Sequence, residues 1–389
     1  MRKILFVVNE AYFFVTHRLA VAKAAQQAGF EVHVACPIDH VWAPSSFSIQ
    51  ELTKFGFTYH PIPLSRRGMN PAQEIKTIIA LVRLYGRLRP DLIHHLTIKP
   101  IMYGGLAARL VNLSSVVSTV TGMGQVFVGK GIFAAMLRFV VKVLYRMALS
   151  HPNTAVIVQN RSDRHAFVNL RLVSRERVHL VRGSGVSLEQ FHPKPESNDE
   201  PLVILPARLI WEKGIAEFVQ AARQLRQLGL SARFALVGDT QESNPRAVPK
   251  SQLELWHREG VIEWWGRQTD MPRVYAESHV VCLPSSYGEG VPKVLLEAAA
   301  SARSIVCTDI PGCTEVVRQN INGLVFPVGD VEALSNALRR LIVDGNLRKT
   351  FGLSGRQIAE AEFGEDQIAD QTLSVYRSVL DEFPNASSR

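Results

Sequence analysis

The sequence predicts an α/β fold built from two doubly wound, Rossmann-like domains with a cleft between them. Short apolar segments alternate with longer amphipathic segments along most of the chain. The alternation restarts after residue 190, beyond a polar segment that contains Pro193 and Pro195. Strand–helix alternation of this kind produces parallel sheets covered by helices on both faces, and ligands bind such sheets at the carboxyl ends of the strands.

The predicted strands are short and almost wholly apolar, as expected for strands buried on both faces. In the first half we predict strands at Ile4–Val8, Val32–Cys36, Leu92–His95, Val116–Val120 and Ala155–Gln159, with helices at Thr16–Ala28 and Ile75–Arg87. In the second half we predict strands at Val203–Pro206, Phe234–Val237, Val280–Leu283 and Ser304–Thr308, with helices at Ile215–Leu228, Leu295–Ser301, Val331–Val343 and Ala369–Val379.

The same pattern predicts where the domains begin and end. We expect an N-terminal domain over residues 1–190, a linker over 191–200 and a C-terminal domain over 201–366, because the polar, proline-containing segment is typical of a domain boundary. Residues 367–389 are interpreted as a C-terminal helix and tail, and a return of this helix to the N-terminal domain stays open.

Charge is divided unevenly between the two halves. The 389 residues are 47% apolar and 20% charged, which is typical of globular proteins and excludes a disordered chain. Residues 1–190 contain 23 Lys and Arg against 9 Asp and Glu, whereas the remainder contains 21 against 26. The basic half therefore needs an anionic partner, and nucleic acid, a phosphorylated substrate and an anionic membrane surface are the candidates.

Cysteine usage and hydropathy indicate a cytosolic protein. The four cysteines form no CxxC pair, which argues against a disulfide framework or a zinc site. The apolar run after the basic start is too short for a signal peptide. The longest uncharged stretch, Leu110–Gly129, is too polar to span a bilayer. We expect a protein that is soluble or lies on a membrane surface.

The most informative motif follows the third strand predicted for the second half. Glu289 lies between two glycines, and Pro292 suits the first turn of a helix. The backbone N–H groups of Gly290 and Val291 would then meet an anion at the helix N-terminus. Glu297 lies further along that helix, so both carboxylates can accept hydrogen bonds from the hydroxyls of one ligand. The alternative is a surface helix with two unrelated glutamates.

Three other segments of the second half carry candidate ligand contacts. Arg208 and Lys213 follow a strand and can converge on one diphosphate, although two basic loop residues are often merely solvated. Gly238 ends the next strand. A loop at Glu263–Arg267 could present backbone groups near Arg267 to a nucleobase. The alternative for that loop is a strand-end turn with two core tryptophans.

Taken in this order, the segments resemble retaining glycosyltransferases of the GT4 family, which have the two-domain GT-B fold. The resemblance runs through nearly all of residues 200–380 and includes Pro311–Val317 and Asn322–Pro327. It implies that the C-terminal domain binds a nucleotide-sugar donor.

The resemblance also implies roles for individual residues. Arg208 and Lys213 would hold the diphosphate, Glu297 the ribose and Glu289 the transferred sugar. The loop Gly290–Lys293, including Pro292 and Lys293, would cap the phosphates. No metal and no resident cofactor are implied, because the two cations and the helix dipole take the place of a metal. The sequence agrees, since no DxD-type acidic pair stands at a predicted strand end.

The N-terminal half resembles a narrower group. Asn9–Arg18, Thr97–Pro100 and Thr121–Phe127 look like segments of bacterial transferases that add a sugar to undecaprenyl-diphosphate-linked saccharides of O-antigen, capsule or protein glycans. Two departures stand out. Thr121 occupies a position where many GT4 members carry a histidine, and the first loop lacks the usual glycine pair. The usual active-site histidine therefore has no counterpart at Thr121.

Four polar residues in the N-terminal half are candidates for the acceptor side. His17 is expected at the head of the first helix, where it could orient a hydroxyl or stabilise a leaving diphosphate. His94 and His95 lie at the end of a predicted strand and are weaker candidates for orienting a hydroxyl or stabilising a leaving diphosphate. Lys99 could contact an acceptor diphosphate. Packing or capping is the alternative for the histidines.

A basic amphipathic segment, Lys130–Arg146, is predicted to lie on a membrane. Arg138, Lys142 and Arg146 recur every four residues and so form one stripe, with aromatic and aliphatic residues on the other faces. The alternative is a helix that packs on the sheet with a solvated basic edge. Nucleic acid is excluded, because no recognition helix, zinc finger or aromatic stacking motif is present.

The combined hypothesis is a retaining, metal-independent glycosyltransferase that is peripheral on the cytoplasmic face of a bacterial inner membrane. It would transfer an N-acetylated hexosamine or a derivative from a UDP-sugar to a polyprenyl-diphosphate-linked saccharide. A glycosyltransferase with a soluble acceptor, a UDP-sugar 2-epimerase-like enzyme and a non-catalytic scaffold are the alternatives.

Overall fold

A computed structural model describes residues 1–38, 45–65, 70–113, 115–122, 132–151, 153–241 and 244–382, without the side chains of 45–48, 132–140 and 382. The chain divides into two compact units. The first comprises Met1–Ser184 and Glu365–Arg389, and the second comprises Gly185–Gly364.

The first unit is built on a seven-stranded parallel sheet. Its strands are β1 (Arg2–Val7), β2 (Phe30–Cys36), β3 (Thr58–Pro61), β4 (Leu92–Leu96), β5 (Val116–Val120), β6 (Thr154–Val158) and β7 (Val178–Leu180), in the order β3-β2-β1-β4-β5-β6-β7. Its first helices are α1 (Ala11–His17), α2 (Leu19–Gln27), α3 (Ser45–Lys54), α4 (Pro71–Leu88), α5 (Ile98–Leu110), α6 (Ile132–Leu149) and α7 (Arg161–Asn169). Every residue of β4, β5 and β6 is buried, because helices cover both faces.

The second unit repeats this architecture with six parallel strands. They are β8 (Leu202–Pro206), β9 (Arg233–Val237), β10 (Glu263–Gly266), β11 (Val280–Leu283), β12 (Ser304–Thr308) and β13 (Gly323–Phe326), in the order β10-β9-β8-β11-β12-β13. The helices are α8 (Ile215–Gln227), α9 (Lys250–Arg258), α10 (Met271–Glu277), α11 (Lys293–Ala300), α12 (Pro311–Thr314), α13 (Val331–Val343) and α14 (Gly345–Glu362).

The last helix, α15 (Glu365–Glu382), belongs to the first unit although it follows the second in sequence. Its apolar face, with Ile368, Leu373 and Tyr376, joins the same core as β1 and α2. The amide of Asn153 also donates to the carbonyl of Val379 over 2.8 Å. The C-terminal segment is therefore part of the N-terminal core.

The segment predicted as a linker is not one. Residues 191–200 lie within the second unit, whose boundary with the first falls at Ser184 and Gly185. The segment is anchored, because Phe191 is buried in the core and Arg348 pairs with Glu196 at 3.3 Å. Polarity alone cannot reveal such anchoring, since it depends on partners from elsewhere in the unit, as Glu196 has in Arg348.

Two other differences are local. The helix predicted over Thr16–Ala28 is two helices, because Arg18 leaves helical geometry with φ −133° and ends α1. The strands that the sequence did not predict are β3, β7, β10 and β13, which form the four edges of the two sheets. Three of them are short and largely half-buried or exposed, so their residues lack the apolar run that marks a central strand.

Candidate active site

Two loops meet at the carboxyl edge of the second sheet, where the strand order reverses. β8 and β11 are neighbours, with Val203 opposite Val280, although they are separated by two other strands in sequence. Ligands of doubly wound sheets bind at such a reversal. The loop after β8 carries Arg208 and Lys213, and the loop after β11 carries Glu289.

Backbone contacts hold these two loops together. A 3₁₀ turn over Trp211–Lys213 ends at Gly214, which has φ +74°. A Cβ at Gly214 would lie 2.1 Å from the carbonyl oxygen of Pro284, so only glycine permits this approach. The amide of Ser286 donates to the carbonyl of Glu212 over 2.8 Å. Lys213 is thereby fixed beside the β11 loop.

Lys213 and Glu289 form a buried ion pair. The Lys213 ammonium donates to Glu289 Oε1, and their side chains are 11% and 12% exposed. The Ser285 hydroxyl donates to the same oxygen over 2.9 Å. Burial works to lower the pKa of Lys213, but the Glu289 carboxylate, with Tyr287 beside it, outweighs burial and raises that pKa. Lys213 is therefore cationic at neutral pH.

Arg208 adds a second cation to the same place. Its side chain is half-buried. Its charge lies close enough to Lys213 to act to lower the pKa of that ammonium. Two cations thus adjoin the single carboxylate of Glu289. An excess of positive charge among these three side chains favours an anionic ligand such as a diphosphate.

Glu297 is almost fully buried on α11. Its Oε2 accepts a hydrogen bond from the Tyr275 hydroxyl over 2.9 Å. Burial raises the pKa of Glu297, although the charge of Lys293 and the Tyr275 hydrogen bond act to lower it. Sequence reasoning missed Tyr275, because it lies on α10 and no motif connects it to the Glu297 segment.

The loop before α11 is shaped by tight backbone packing. Pro292 precedes the first residue of the helix, Lys293, and Gly290 and Val291 are buried. A Cβ at Gly312 would lie 1.8 Å from the carbonyl oxygen of Gly290, so the start of α12 packs directly against this loop. The Pro311–Val317 motif therefore supports the loop that follows Glu289.

Gly238 and Arg267 lie at the ends of β9 and β10. Gly238 has φ +151°, and a Cβ there would lie 1.9 Å from the carbonyl oxygen of Ala207, next to Arg208. The Trp264 indole donates to the carbonyl of Gly238 over 3.0 Å. Glu263–Gly266 is thus an edge strand rather than part of a loop, because its backbone pairs with β9. Arg267 follows this strand and is exposed.

Two family profiles match the chain in tandem. The family described as "Glycosyl transferase 4-like" matches residues 3–160, and "Glycosyl transferases group 1" matches residues 187–358.

The chain is a glycosyltransferase.

Curated relatives agree with this assignment. The N,N'-diacetylbacillosaminyl-diphospho-undecaprenol alpha-1,3-N-acetylgalactosaminyltransferase of Campylobacter jejuni is 27% identical over 376 residues, which cover 93% of this chain and 95% of the relative. The UDP-Gal:alpha-D-GlcNAc-diphosphoundecaprenol alpha-1,3-galactosyltransferase of Escherichia coli is 25% identical over 300 residues, 73% of this chain and 74% of the relative. The prediction of a glycosyltransferase is confirmed.

Solved structures agree on the fold. Sucrose-phosphate synthase from Thermosynechococcus elongatus superposes with a TM-score of 0.80 at 20% identity, covering 98% of this chain and 100% of that one. HepE of Anabaena, in complex with UDP, gives 0.75 at 16% identity and covers 97% of this chain and 100% of that one. The predicted GT-B fold is confirmed.

In this glycosyltransferase, the histidines predicted for the acceptor side have packing partners. His17 ends α1 rather than heading a helix, and its ring stacks on Phe13 at 4.5 Å. His94 is buried, with Nδ1 2.6 Å from the Tyr376 hydroxyl and Nε2 2.6 Å from the Thr119 hydroxyl. His95 is buried against Tyr85. Burial lowers the pKa of both His94 and His95, so these two side chains are neutral at pH 7.

Lys99 lies in the first turn of α5 and is already partnered. Its ammonium donates to Glu74 Oε1 over 2.6 Å and to the carbonyl of Ser65 over 2.8 Å. An acceptor diphosphate would compete with Glu74 for this charge. The role of Lys99 in acceptor binding stays a prediction.

The basic amphipathic segment is partly described. Residues 123–131 and the side chain of Arg138 lie outside the described residues. On the rest of α6, Lys142 is half-buried and Arg146 is exposed. Across the described ranges, no helix combines the length and the apolar character needed to cross a membrane, and no cluster of His, Cys, Asp and Glu is arranged to hold a metal ion.

Proposed function

We propose that this glycosyltransferase transfers an N-acetylated hexosamine, or a derivative of one, from a UDP-sugar to a polyprenyl-diphosphate-linked saccharide. The observation that carries the proposal is the pairing of Lys213 with Glu289, beside Arg208, at the strand reversal of the second sheet. The names of the two curated relatives support the acceptor class, because both contain a saccharide on diphospho-undecaprenol.

Each group of the site matches one part of such a donor. The guanidinium of Arg208 and the ammonium of Lys213 would bind the diphosphate, together with the dipole of α11. Glu297 would accept hydrogen bonds from the ribose hydroxyls. When the ammonium of Lys213 turns to the diphosphate, the Glu289 carboxylate can accept hydrogen bonds from hydroxyls of the transferred sugar. The buried ion pair thus keeps both groups in position before the donor arrives.

The proposed reaction is a front-face displacement that retains the anomeric configuration. The acceptor oxygen forms a bond to the anomeric carbon as the bond from that carbon to the diphosphate oxygen breaks on the same face. The acceptor proton passes to the departing diphosphate oxygen, so the products are the glycoside and UDP. Arg208 and Lys213 stabilise the charge that grows on the diphosphate.

We propose that this charge is neutralised without a metal ion or a resident cofactor. The support is the chemistry of the side chains present, since a lysine whose pKa is raised and an arginine are permanent cations at the place where charge develops. Addition of a chelator should therefore leave the transfer rate unchanged, and a rate restored only by added Mg²⁺ or Mn²⁺ would contradict this proposal.

The activity test uses the purified protein with a panel of UDP-sugars and a lipid-linked acceptor, and the new linkage is determined by NMR. We expect transfer with retention and no reaction of the UDP-sugar when acceptor is omitted. Epimerisation of the UDP-sugar without acceptor would support the epimerase alternative instead. Efficient transfer to the free saccharide, without its lipid diphosphate, would favour a soluble acceptor.

We further propose that the protein is peripheral on the cytoplasmic face of a bacterial inner membrane. The support is a surface on α5 and α6 where apolar and basic side chains alternate. Leu110, Val143 and Met147 are 72%, 39% and 48% exposed. Arg109 on α5 donates to the carbonyl of Met147 over 3.1 Å, so the two helices present one surface. Basic residues around exposed apolar ones suit an anionic lipid interface.

Vesicle sedimentation tests this surface. The double variant Val143→Asp/Met147→Asp should bind phosphatidylglycerol-containing vesicles at least several-fold more weakly than wild type, because carboxylates are repelled by the lipid and cannot enter its apolar layer. Ile79→Asp is the matched control, since Ile79 is 45% exposed on α4. Equal binding by the α6 variant and this control would refute the proposed surface.

A further inference from the structure

A pocket unrelated to the donor residues lies wholly within the first unit. It is formed by α7, the edge strand β7 and α15, and has a volume of about 630 Å³. That volume falls in the range of about 300–1,000 Å³ that small-molecule sites occupy. The apolar side chains of Val178 and Leu180 line part of it.

Two arginines give this pocket its charge. Arg164 on α7 lines it and is half-buried, and Arg175 lines it from the turn before β7 and is exposed. In the described part of the chain, no carboxylate forms an ion pair with either guanidinium. A half-buried cation without a partner has given up part of its hydration, and an anion in the pocket would compensate for that loss.

The remaining polar groups of the lining offset only part of the charge of these arginines. Gln371 and Ser374 line the pocket from one face of α15, and His179 lines it from β7. Glu176 is the single acidic residue among those lining the pocket in the described ranges. Its carboxylate interacts with its own backbone amide, with the Ser174 hydroxyl and, through its charge, with Arg175. The lining therefore offers amide and hydroxyl groups around two cations and one carboxylate, and positive charge stays in excess.

From this arrangement we propose that the pocket binds a phosphate-bearing ligand through Arg164 and Arg175. The planar fork of arginine matches the oxygens of a phosphate, and Gln371 and Ser374 add an amide and a hydroxyl donor to the same lining. The half-buried side chain of Leu180 would contact the organic part of the ligand. A nucleobase is not favoured, because none of the lining residues that the structure describes is Phe, Tyr or Trp.

Calorimetric titration with inorganic pyrophosphate tests the proposal on the full-length protein. Arg164→Gln/Arg175→Gln removes the two pocket charges. Arg83→Gln/Arg87→Gln is the matched control, since it removes two exposed charges from α4 of the same unit. We expect the pocket variant to bind pyrophosphate at least about tenfold more weakly than the control, which corresponds to about 1.4 kcal/mol. Equal affinities would overturn the proposal.

A third variant separates this site from the proposed donor site. Arg208→Gln should weaken pyrophosphate binding at the donor residues and leave the contribution of Arg164 and Arg175 intact. If Arg208→Gln has no effect while the pocket variant does, the proposed function is in question and the pocket stands. Loss of binding in Arg208→Gln alone would place the pyrophosphate at the donor site and overturn the pocket.

Vesicles distinguish the two sources of such a phosphate. If the ligand is a lipid headgroup, Arg164→Gln/Arg175→Gln should also reduce sedimentation with phosphatidylglycerol vesicles relative to the α4 control, and phosphatidylcholine vesicles should show no difference. If the pocket takes a soluble phosphorylated compound, pyrophosphate binding falls and vesicle binding equals that of the control.

Discussion

The ion pair between Lys213 and Glu289 should be essential for stability as well as for transfer. Each side chain is about nine-tenths buried, so Lys213→Met or Glu289→Gln leaves the partner charge in a poorly hydrated place. Removal of one partner from a buried pair costs about 3–5 kcal/mol. We expect a loss of about 3 kcal/mol for Lys213→Met, at the lower end, because Glu289 keeps its hydrogen bond from Ser285, and a loss of about 3–5 kcal/mol for Glu289→Gln.

The double variant Lys213→Met/Glu289→Gln should recover most of that loss. It leaves no unpaired charge, so its free energy of unfolding should lie within about 1 kcal/mol of wild type. Denaturant unfolding followed by tryptophan fluorescence is the assay, because Trp211, Trp256 and Trp264 belong to the second unit, as does Trp265.

An exposed ion pair in the same unit provides the control. Arg273 and Glu277 pair on α10 at 2.8 Å, with side chains 75% and 46% exposed. A double-mutant cycle with Arg273→Met and Glu277→Gln should give a coupling energy of about 0.5 kcal/mol or less. If the Lys213–Glu289 cycle gives a coupling energy as small as this, the buried pair does not stabilise the site.

Activity should not recover with stability. Loss of one fixed charge that faces developing negative charge costs about 10²–10³ in rate. We expect Lys213→Met and the double variant to lose at least about 10² in kcat/KM, although the double variant is stable. A Lys213→Met enzyme that keeps more than a tenth of the wild-type kcat/KM would refute the catalytic assignment.

The remaining predictions concern buried titratable groups. Because burial raises the pKa of Glu297, the folded state loses stability as pH rises above the ordinary value of about 4.5, so Glu297→Gln should melt at a higher temperature than wild type at pH 7. That advantage should shrink near pH 4.5 in thermal scans, and an advantage independent of pH would contradict this reasoning. Tyr275→Phe should cost about 1 kcal/mol and raise KM for the nucleotide sugar several-fold with a smaller effect on kcat; an unchanged KM would argue against a positioning role. Burial lowers the pKa of His60 to about 4, that of His95 to about 3 and that of His94 well below 6.5. Above about pH 6.5 these histidines are neutral in the folded and the unfolded state, and the folded state is fully stable. As pH falls below 6.5 the unfolded state takes up protons that the folded state does not, so the free energy of unfolding decreases. The denaturation midpoint should therefore drop between pH 7 and pH 5, and a constant midpoint would show that these histidines are not kept neutral by folding.

Much of the fold was predictable because central strands carry a strong local signal. Segments such as Val116–Val120 and Val280–Leu283 are mainly apolar and buried throughout, since both faces are covered, and the structure has strands at the same residues. Edge strands such as β7 and β10 lack this signal because one side meets solvent. The anchoring of residues 191–200 likewise depends on partners, such as Arg348, that are distant in sequence.

The candidate site divides in the same way. Glycine-bracketed Glu289, the cations after β8 and Glu297 were recognisable because each lies in a short motif with local spacing. Tyr275 was not, because its hydrogen bond to Glu297 joins two helices with no shared pattern. The packing partner of His94, Tyr376, lies 282 residues away on a helix that returns to the first unit.

By itself, the sequence determined the fold class, the glycosyltransferase assignment and the chemical types placed at the strand ends, because these depend on local periodicity and short motifs. Only the tertiary structure decided which of those groups share an environment. It paired Lys213 with Glu289, buried Glu297 against Tyr275, and brought Arg164 and Arg175 together in one pocket. The physical reason is that burial and charge pairing arise between segments far apart in the chain, and these two effects set the protonation and the binding capacity of each group.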